Sequence, residues 1–394
     1  MNFLYISPEF PPNYAQFVLR LNEMGVNVWA IGEADFFSMP ESLRSALKFY
    51  ARTDLNSFDA VQAAIEELKS AQTVAGVSPG FDIVESNNET WLGLEARINE
   101  ARDIQGIRPA DIDWLQRKSG MKQRFQEVGL RVAKGERVQN PPHALQLVKS
   151  LGYPLILKPD IGVGASGICK VSDEAELYQC MGELDGDYVL EEFIDGRIVT
   201  YDGLVDWDGN VIFENSLTYG DGVLDCVLGK DTFFYLNREI PEQLSLIGRR
   251  LVEAFGIQRK FFHFEFFDLD GDYMPIEINC RPPGGPIVDM MNYSVDDDLY
   301  AAYARMIARG RTSVAAEKKY YCAYLGRRDR IYALSHDDIL ARFGDRMAEH
   351  GENPAVFQGA MGLYRYIIRE TSEADLLRTA GAILAADAQH GTAT

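Results

Sequence analysis

Two strands that alternate apolar and polar residues around an Asp-Gly pair restrict the fold of this chain more than any other feature. They occupy the stretch FFHFEFFDLDGDYMPIEIN, and Asp270-Gly271 between them is typical of a short hairpin turn. Residues two apart in a strand share a face. One face of the predicted hairpin is therefore apolar, and the other face is polar. The polar face and its continuation consist of His263, Glu265, Glu277, Asn279 and Arg281.

The polar face of this hairpin has the donor atoms of a divalent-cation site. Glu265, Glu277 and Asn279 supply hard oxygen ligands, which Mg²⁺ prefers, and phosphate oxygens and water can complete the octahedron. Arg281 next to them indicates a phosphoryl group to be held. The alternative is a ladder of hydrogen bonds on a half-exposed sheet. His263 also has two interpretations, a substrate contact or a packed, hydrogen-bonded imidazole.

A second candidate site is the stretch LILKPDIGVGASG, in which an apolar strand leads to Lys158 and then to a glycine-rich loop. A lysine at a strand end can reach a phosphate, and glycines let backbone N–H groups approach phosphate oxygens closely. The loop lacks the Gly-Lys-Ser/Thr ending of a Walker A motif, and another strand follows it. It can act as a flap over a nucleotide; the alternative is a flexible hairpin.

A third candidate is YVLEEFIDG, an apolar run that ends at Glu191 and Glu192, followed by Phe193 and Ile194. Such a segment can present backbone groups to the edge of an adenine while its apolar side chains line the pocket. The alternative is a solvated acidic strand end, and this motif alone does not exclude it.

The alternation of elements along the chain predicts a mixed α/β and α+β protein with several domains. Strand–helix–strand units at the N-terminus predict a Rossmann-like open α/β domain over residues 1–110 without a dinucleotide fingerprint. We predict a small lid with the glycine-rich flap over 111–190 and a larger unit with the metal site over 191–310. The remaining residues, 311–394, form a C-terminal α+β segment packing on the larger unit. Arg327 and Arg328 in this segment are either a grip for a substrate carboxylate or surface charge.

Charge and cysteine content exclude several classes of function. The formal net charge is −20, which argues against a protein that binds nucleic-acid backbones. The 5 cysteines are scattered without a C-x-x-C pair, a pattern typical neither of a disulfide framework nor of a zinc site. The sequence has no long apolar run and no recognisable leader, so we expect a cytoplasmic protein without membrane contact.

Taken in order, these motifs resemble the ATP-grasp superfamily of ATP-dependent ligases over roughly residues 115–310. The order is a helix MKQRFQEVG with Lys122, then the strand lysine with its glycine-rich flap, then the Glu-Glu-Phe-Ile hinge. His-x-Glu on one strand and Glu-x-Asn-x-Arg-x-x-Gly-Gly on the next complete it. The resemblance implies a carboxylate–amine ligase related to biotin carboxylase and carbamoyl-phosphate synthase, with ATP and Mg²⁺ as cofactors and small-molecule substrates. Homodimers are common in this superfamily.

The resemblance also implies a role for each residue. Lys122 and Lys158 would contact ATP phosphates, and Arg281 would stabilise the transferred phosphoryl group. The carboxylates and amide of the hairpin would hold Mg²⁺. The flap residues that would close over the phosphates are Gly162, Gly164, Ser166 and Gly167. The residues that would border adenine are Glu191, Glu192 and Ile194, the last two through their backbone.

The chain departs from the superfamily pattern at the ribose. Many members carry a carboxylate about seven residues after the first hinge glutamate, and here that position is Ile198. Either Asp202 takes this role or the ribose is contacted in another way.

The function predicted from these residues is ADP-forming ligation of a small carboxylate, through an acyl-phosphate, to an amine. One alternative is activation of bicarbonate, as in carbamoyl-phosphate synthase. Another is a nucleotide-binding regulator that retains the fold without catalysis.

Overall fold

The computed structural model describes residues 1–162, 167–183, 186–220, 230–315 and 317–387. The strands are β1 Asn2–Ile6, β2 Asn27–Gly32, β3 Phe49–Arg52, β4 Ile83–Glu85, β5 Gly135–Arg137, β6 Leu155–Pro159, β7 Cys169–Val171, β8 Tyr188–Glu192, β9 Arg197–Val205, β10 Val211–Asn215, β11 Leu217–Tyr219, β12 Thr232–Leu236, β13 Phe261–Leu269, β14 Asp272–Asn279, β15 Tyr321–Arg327, β16 Met347–Glu352 and β17 Tyr364–Glu370. The α-helices are α1 Ala15–Glu23, α2 Glu41–Ala46, α3 Phe58–Val74, α4 Leu92–Ala101, α5 Ile112–Gln116, α6 Lys118–Glu127, α7 Pro141–Leu151, α8 Glu174–Glu183, α9 Glu242–Ala254, α10 Ile287–Val295, α11 Leu299–Arg309, α12 His336–Phe343, α13 Ala355–Met361 and α14 Glu373–Leu384.

The first sheet is the open parallel sheet that the N-terminal strand–helix–strand pattern predicts. Its strand order is β3-β2-β1-β4, and every neighbouring pair is parallel. The apolar residues of β1 are buried on both faces because helices cover both sides of a parallel sheet. The mixed α/β fold class predicted from the sequence is confirmed, whereas the bounds of the four domains stay predictions.

The second sheet, which we call the lid sheet, contains β5, β8, β6 and β7 in that order. All its neighbouring strands are antiparallel. The glycine-rich stretch therefore connects two antiparallel strands, β6 and β7, as predicted. Helices α7 and α8 supply Ala144, Leu147 and Leu177 to the small apolar core beneath this sheet.

The third sheet is the largest among the described residues and carries the predicted hairpin. Its order is β14-β13-β9-β11-β12-β15-β17-β16, with β10 paired to β9. Strands from the C-terminal segment thus extend this sheet edge to edge, because β15 pairs with β12 over Thr232–Leu236. None of the helices in the described ranges is long and apolar enough to span a membrane.

The hairpin of β13 and β14, which we call the acidic hairpin, brings the polar residues of its two strands side by side and has a register shift between Glu265 and Phe266. Glu265 lies opposite Glu277, and His263 lies opposite Asn279. The turn residues Asp270 and Gly271 both have positive φ values, 56° and 90°. Such a turn matches the right-handed twist of the strands it joins. The phenylalanines of the apolar face, Phe262, Phe264 and Phe266, are fully buried in a cluster with helix α9.

A buried charged cluster joins the parallel sheet to the acidic hairpin. Lys260, directly before β13, forms ion pairs with Glu85 at the end of β4 and with Glu95 on α4. The distance from Lys260 Nζ to Glu95 Oε1 is 2.9 Å, and all three side chains are at most 7% exposed. Burial raises the pKa of Glu95 to about 8, with Glu85 adding to the rise and Lys260 opposing it. Glu95 therefore keeps its proton at neutral pH beside the ammonium group of Lys260.

We expect this cluster to make stability depend on pH in a defined window. A carboxyl whose pKa rises on folding binds its proton more tightly in the folded state, so rising pH destabilises the fold from about 4.5 to about 8. Glu95→Gln imitates the protonated form. We compare the two proteins by subtracting the free energy of unfolding of Glu95→Gln from that of the wild type. This difference should fall across the window by on the order of a few kcal/mol. Chemical denaturation between pH 4 and 9 measures the difference.

The matched control is Glu100→Gln, an exposed residue on the same helix α4. Its difference from the wild type should stay flat over the same pH range. A flat difference for Glu95→Gln as well would contradict the buried, protonated carboxyl group.

Candidate active site

A cavity of about 440 Å³ lies between the lid sheet and the large sheet. The lid sheet contributes residues of β6 and β8, the acidic hairpin contributes both strands, and helix α13 closes one end. The volume falls in the ordinary range for small-molecule sites. The predicted site residues on the wall of this cavity are Lys158, Glu191, Glu192, Ile194, Glu265, Glu277 and Arg281.

The two carboxylates of the acidic hairpin face the cavity side by side. Their side chains are 20% exposed for Glu265 and 12% exposed for Glu277. The Nδ2 atom of Asn279 donates to Glu277 Oε1 at 3.3 Å, so the amide stands beside this carboxylate. Within the described ranges, no cluster of three or more His, Cys, Asp or Glu side chains can hold a metal. Two carboxylates and an amide oxygen are a donor set that suits Mg²⁺ when phosphate and water complete its shell.

Lys118, the first residue of α6, also lies in this cavity, and sequence reasoning missed it. Its Nζ is 2.9 Å from Glu277 Oε2 and donates to the carbonyl oxygen of Gly162 at 3.2 Å. Burial alone would raise the pKa of Glu277, but the ammonium groups of Lys118 and Lys158 hold it below its usual value. Glu277 is therefore an anion, and Lys118 connects it to the start of the flap.

Lys122 forms an ion pair with the lid sheet, and a contact between Lys122 and phosphate stays a prediction. Its Nζ lies 2.6 Å from Glu191 Oε2 and donates to the carbonyl oxygen of Ala133 at 2.9 Å. It is not among the residues that line the cavity. Lys118, one helical turn earlier, lines the cavity. Lys122 holds the carboxylate of Glu191 through this ion pair.

Lys158 lies on the cavity wall at the end of β6 and forms an ion pair with Glu191 on β8. Burial would raise the pKa of Glu191, but Lys158 and Lys122 lower it below its usual value. The glutamate is therefore an anion held between two ammonium groups. The ion pair with Glu191 holds the Lys158 side chain where the lid sheet meets the cavity.

The hinge residues Glu192 and Ile194 line the apolar part of the cavity, together with Ile156, Phe267 and Ile276. The backbone N–H of Glu192 donates to the carbonyl oxygen of Lys134 at 2.8 Å. The backbone N–H of Lys134 in turn donates to Glu192 Oε1, also at 2.8 Å. The N–H of Glu192 is thus used within the lid sheet. An adenine contact through backbone groups at Ile194 stays a prediction.

The flap is described only in part. Gly162 and Gly167 lie within the described residues, at the ends of the loop, and Gly167 has a positive φ of 74°. The predicted phosphate-binding residues Gly164 and Ser166 lie outside the described residues.

Asp202, one of the two alternatives for the ribose contact, lies within the large sheet, and its role toward ribose stays a prediction. Its side chain is fully buried, with Oδ1 2.6 Å from His263 Nδ1, and its Oδ2 accepts from the Thr200 hydroxyl at 2.5 Å. His263 Nε2 lies 3.3 Å from Glu265 Oε1. Burial would lower the pKa of His263, but Asp202 and Glu265 raise it to about 9. Asp202 therefore holds a charged imidazole beside Glu265. His263 also lines the cavity, so both interpretations of this residue stay open.

Arg281 lies on the cavity wall next to the acidic hairpin. Its guanidinium donates to the carbonyl oxygen of Pro282 at 2.8 Å and to Asn279 Oδ1 at 3.3 Å. Its Nε is 3.9 Å from Oε2 of Glu89, a residue of the first domain that no motif marked. Burial raises the pKa of Glu89 to about 7, with Arg281 opposing the rise. The first domain thus supplies a buried acidic neighbour for the arginine.

Two facing sheets with carboxylates and ammonium groups between them are the architecture of the ATP-grasp fold, and the chain has this fold. Residues 117–216 match the family described as carbamoyl-phosphate synthase L chain, ATP binding domain. The match covers the lid and its hinge, where Lys118, Lys158 and Glu191 lie. The resemblance drawn from the motifs is confirmed.

Relatives and solved structures support the same fold. The chain is 29% identical over 138 residues to the carbamoyl phosphate synthase large chain of Xanthomonas axonopodis pv. citri (strain 306), covering 33% of this chain and 13% of that protein. It therefore spans a small part of that relative. The L-amino acid ligase from Bacillus licheniformis superposes with a TM-score of 0.71 at 17% identity, covering 96% of this chain and 95% of the other. Phosphoribosylglycinamide synthetase from Anaerococcus prevotii gives a TM-score of 0.67 at 13% identity, covering 97% of each chain.

Proposed function

We propose that the protein is an ATP-dependent ligase that activates a small carboxylate as an acyl-phosphate and joins it to an amine, releasing ADP. The observation that carries this proposal is the in-register pair Glu265 and Glu277, which shares one cavity with Lys118, Lys158 and Arg281. Acidic groups for a divalent cation and basic groups for phosphates rarely converge in a purely structural cavity. Similarity to ligases of the same fold supports the assignment.

We assign Mg²⁺ to Glu265, Glu277 and Asn279, since their oxygen donors suit that ion. When bound, Mg²⁺ neutralises charge on the phosphates of ATP. Lys158 and Lys118 lie on the cavity wall and would meet phosphate oxygens, while Arg281 would hold the transferred phosphoryl group. The apolar wall of Ile156, Phe267 and Ile276 would receive the adenine.

The chemistry assigned to the site has two steps. A carboxylate oxygen of the substrate attacks the γ-phosphorus of ATP, the bond between this phosphorus and the β–γ bridging oxygen breaks, and ADP leaves. The amine then attacks the carbonyl carbon of the acyl-phosphate, loses a proton, and releases inorganic phosphate. Positioning and charge neutralisation supply most of such catalysis. The location of the cavity between two sheets suits this chemistry because water would hydrolyse the acyl-phosphate.

A second candidate function is activation of bicarbonate. The match of residues 117–216 to the carbamoyl-phosphate synthase family favours it. The apolar end of the cavity, formed by residues such as Phe234 and Met361, disfavours it because bicarbonate is small and charged.

The proposed function is tested by measuring ADP release. Purified protein is incubated with ATP, Mg²⁺ and each amino acid, singly and in pairs, and products are analysed by mass. We expect ADP release to require an acid, and hydroxylamine to trap the acyl-phosphate as a hydroxamate. Condensation products should have the mass of acid plus amine minus water.

Parallel reactions separate the alternatives. ADP release with bicarbonate, and not with organic acids, would replace amide ligation by bicarbonate activation. ATP binding without ADP release under every condition would instead favour a non-catalytic regulator.

A further inference from the structure

The cavity continues beyond the acidic hairpin along the large sheet into an end that the proposed function leaves unassigned. Its floor is formed by Tyr219 of β11 and by Phe234 of β12, with Ile287 at the start of α10 beside them. The Phe234 ring stacks on Tyr324 with centroids 4.9 Å apart, and Tyr219 packs edge-on against Phe234. We call this end the distal compartment.

Helix α13 closes the distal compartment with Phe357 and Met361. The position of this helix is fixed by hydrogen bonds to its carbonyl groups. The Thr232 hydroxyl donates to the carbonyl of Ala360 at 2.8 Å, and the Tyr324 hydroxyl donates to that of Met361 at 2.9 Å. Gly326 permits this approach, because a Cβ atom there would lie 2.0 Å from the Met361 carbonyl oxygen. These hydrogen bonds therefore hold the helix in place as a wall of the cavity.

The described side chains of the distal compartment carry no formal charge at neutral pH. The described residues of the compartment are Tyr219, Thr232, Phe234, Ile287, Phe357 and Met361. Both arginines that the sequence marked as a possible carboxylate grip are engaged elsewhere. Arg327 donates to the carbonyls of Ile383 and Leu334, and Arg328 donates to those of Lys230 and Gly359. A charged substrate group would lose water here without meeting a counter-ion among the described residues.

We infer that the distal compartment binds the apolar side chain of the carboxylate substrate, so that the enzyme prefers acids bearing an aliphatic or aromatic group. This inference rests on the proposed function. The compartment adjoins Arg281 through Gly284 and Gly285, which also line the cavity, so an acid held at Arg281 can extend its side chain into it. The Met361 side chain packs against Gly285, where a Cβ atom would be 3.0 Å from its Cε. Met361 therefore sets the depth available to that side chain.

The test compares acids of matched size and different polarity. Leucine and asparagine have side chains of similar size, and methionine and glutamate form a second pair. We expect kcat/KM for acid-dependent ADP release to favour the apolar member by about tenfold or more. Equal or better use of asparagine and glutamate would overturn the inference while leaving the ligase assignment intact.

A variant locates the preference in the distal compartment. Met361→Trp fills the space, so leucine and phenylalanine should lose about tenfold or more in kcat/KM while alanine is retained. Leu363→Trp is the matched control, since Leu363 is 42% exposed and lies outside the cavity wall. An equal loss for all acids in Met361→Trp would contradict selection at this position. If that variant fails to fold, the wild-type ranking of acids still decides the inference.

Binding separates this inference from the proposed function. Thermal stabilisation of Glu277→Gln by leucine, and not by asparagine, would support the apolar compartment even if no acid gives ADP release. Stabilisation by neither acid, combined with no preference in turnover, would overturn it. Absence of ADP release with every acid would overturn the ligase assignment alone.

Discussion

Glu277→Gln is expected to lower ADP formation about a thousandfold or more, because a divalent ion contributes several kcal/mol of charge stabilisation to phosphoryl transfer. The substitution keeps the shape of the side chain and removes its charge. It also removes the partner of Lys118, whose ammonium lies 2.9 Å from Glu277 Oε2. Steady-state ADP release, measured with a coupled assay at saturating ATP and acid, gives the size of the loss.

The matched control for this variant is Asp272→Asn on the same strand, an exposed carboxylate that pairs with Arg131 far from the cavity. Its turnover should equal that of the wild type. Thermal unfolding of both variants checks that the fold is retained. Wild-type turnover in a folded Glu277→Gln protein would remove the metal site from the mechanism.

Arg281→Ala is expected to reduce kcat about a thousandfold, since an arginine that stabilises a transferred phosphoryl group contributes on this scale. Arg281→Lys should recover only part of the loss, because an ammonium lacks the planar fork of donors. The KM for ATP should change much less than kcat, as the interaction is strongest in the transition state. Single-turnover measurements of the acyl-phosphate, trapped as hydroxamate, report the affected step directly.

Arg197→Ala serves as the control for Arg281→Ala. Arg197 is an exposed arginine at the start of β9 that pairs with Asp268 on the outer part of the hairpin. Its removal should leave kcat unchanged. If Arg281→Ala raised the KM for ATP and left kcat intact, Arg281 would be a binding residue without a role in the chemical step.

Local patterns in the sequence predicted the acidic hairpin correctly because its determinants are short-range. Alternating polarity indicates which side chains share a face, and Asp270-Gly271 fixes the turn and the register next to it. The pairing of Glu265 with Glu277 needs more than these two features, because a register shift between Glu265 and Phe266 moves Glu265 from Ile276 to Glu277. The glycine-rich connection between β6 and β7 was predictable because its determinants are also short-range.

The surroundings of several site residues depend on packing between distant segments, which the sequence pattern does not reveal. Lys118 and Lys122 lie one turn apart on α6, and no periodicity decides which of them reaches the cavity and which lies under Glu191. That choice depends on how α6 sits against the lid sheet. Asp202, one of two alternatives for the ribose contact, lies opposite His263 in the β9–β13 pairing, which no local pattern showed. Glu89 comes from another domain, and only the tertiary structure brings it to Arg281.

The continuous large sheet also constrains how the polypeptide matures during synthesis. A nascent chain that has emerged as far as α11 already holds every lysine and carboxylate of the site, but β12 still lacks its neighbour β15. An open apolar edge of this kind recruits strands from other molecules. We therefore expect the partly synthesised chain to be prone to aggregation until β15, β16 and β17 have been translated and paired. The cavity wall formed by helix α13 is completed at the same stage of synthesis.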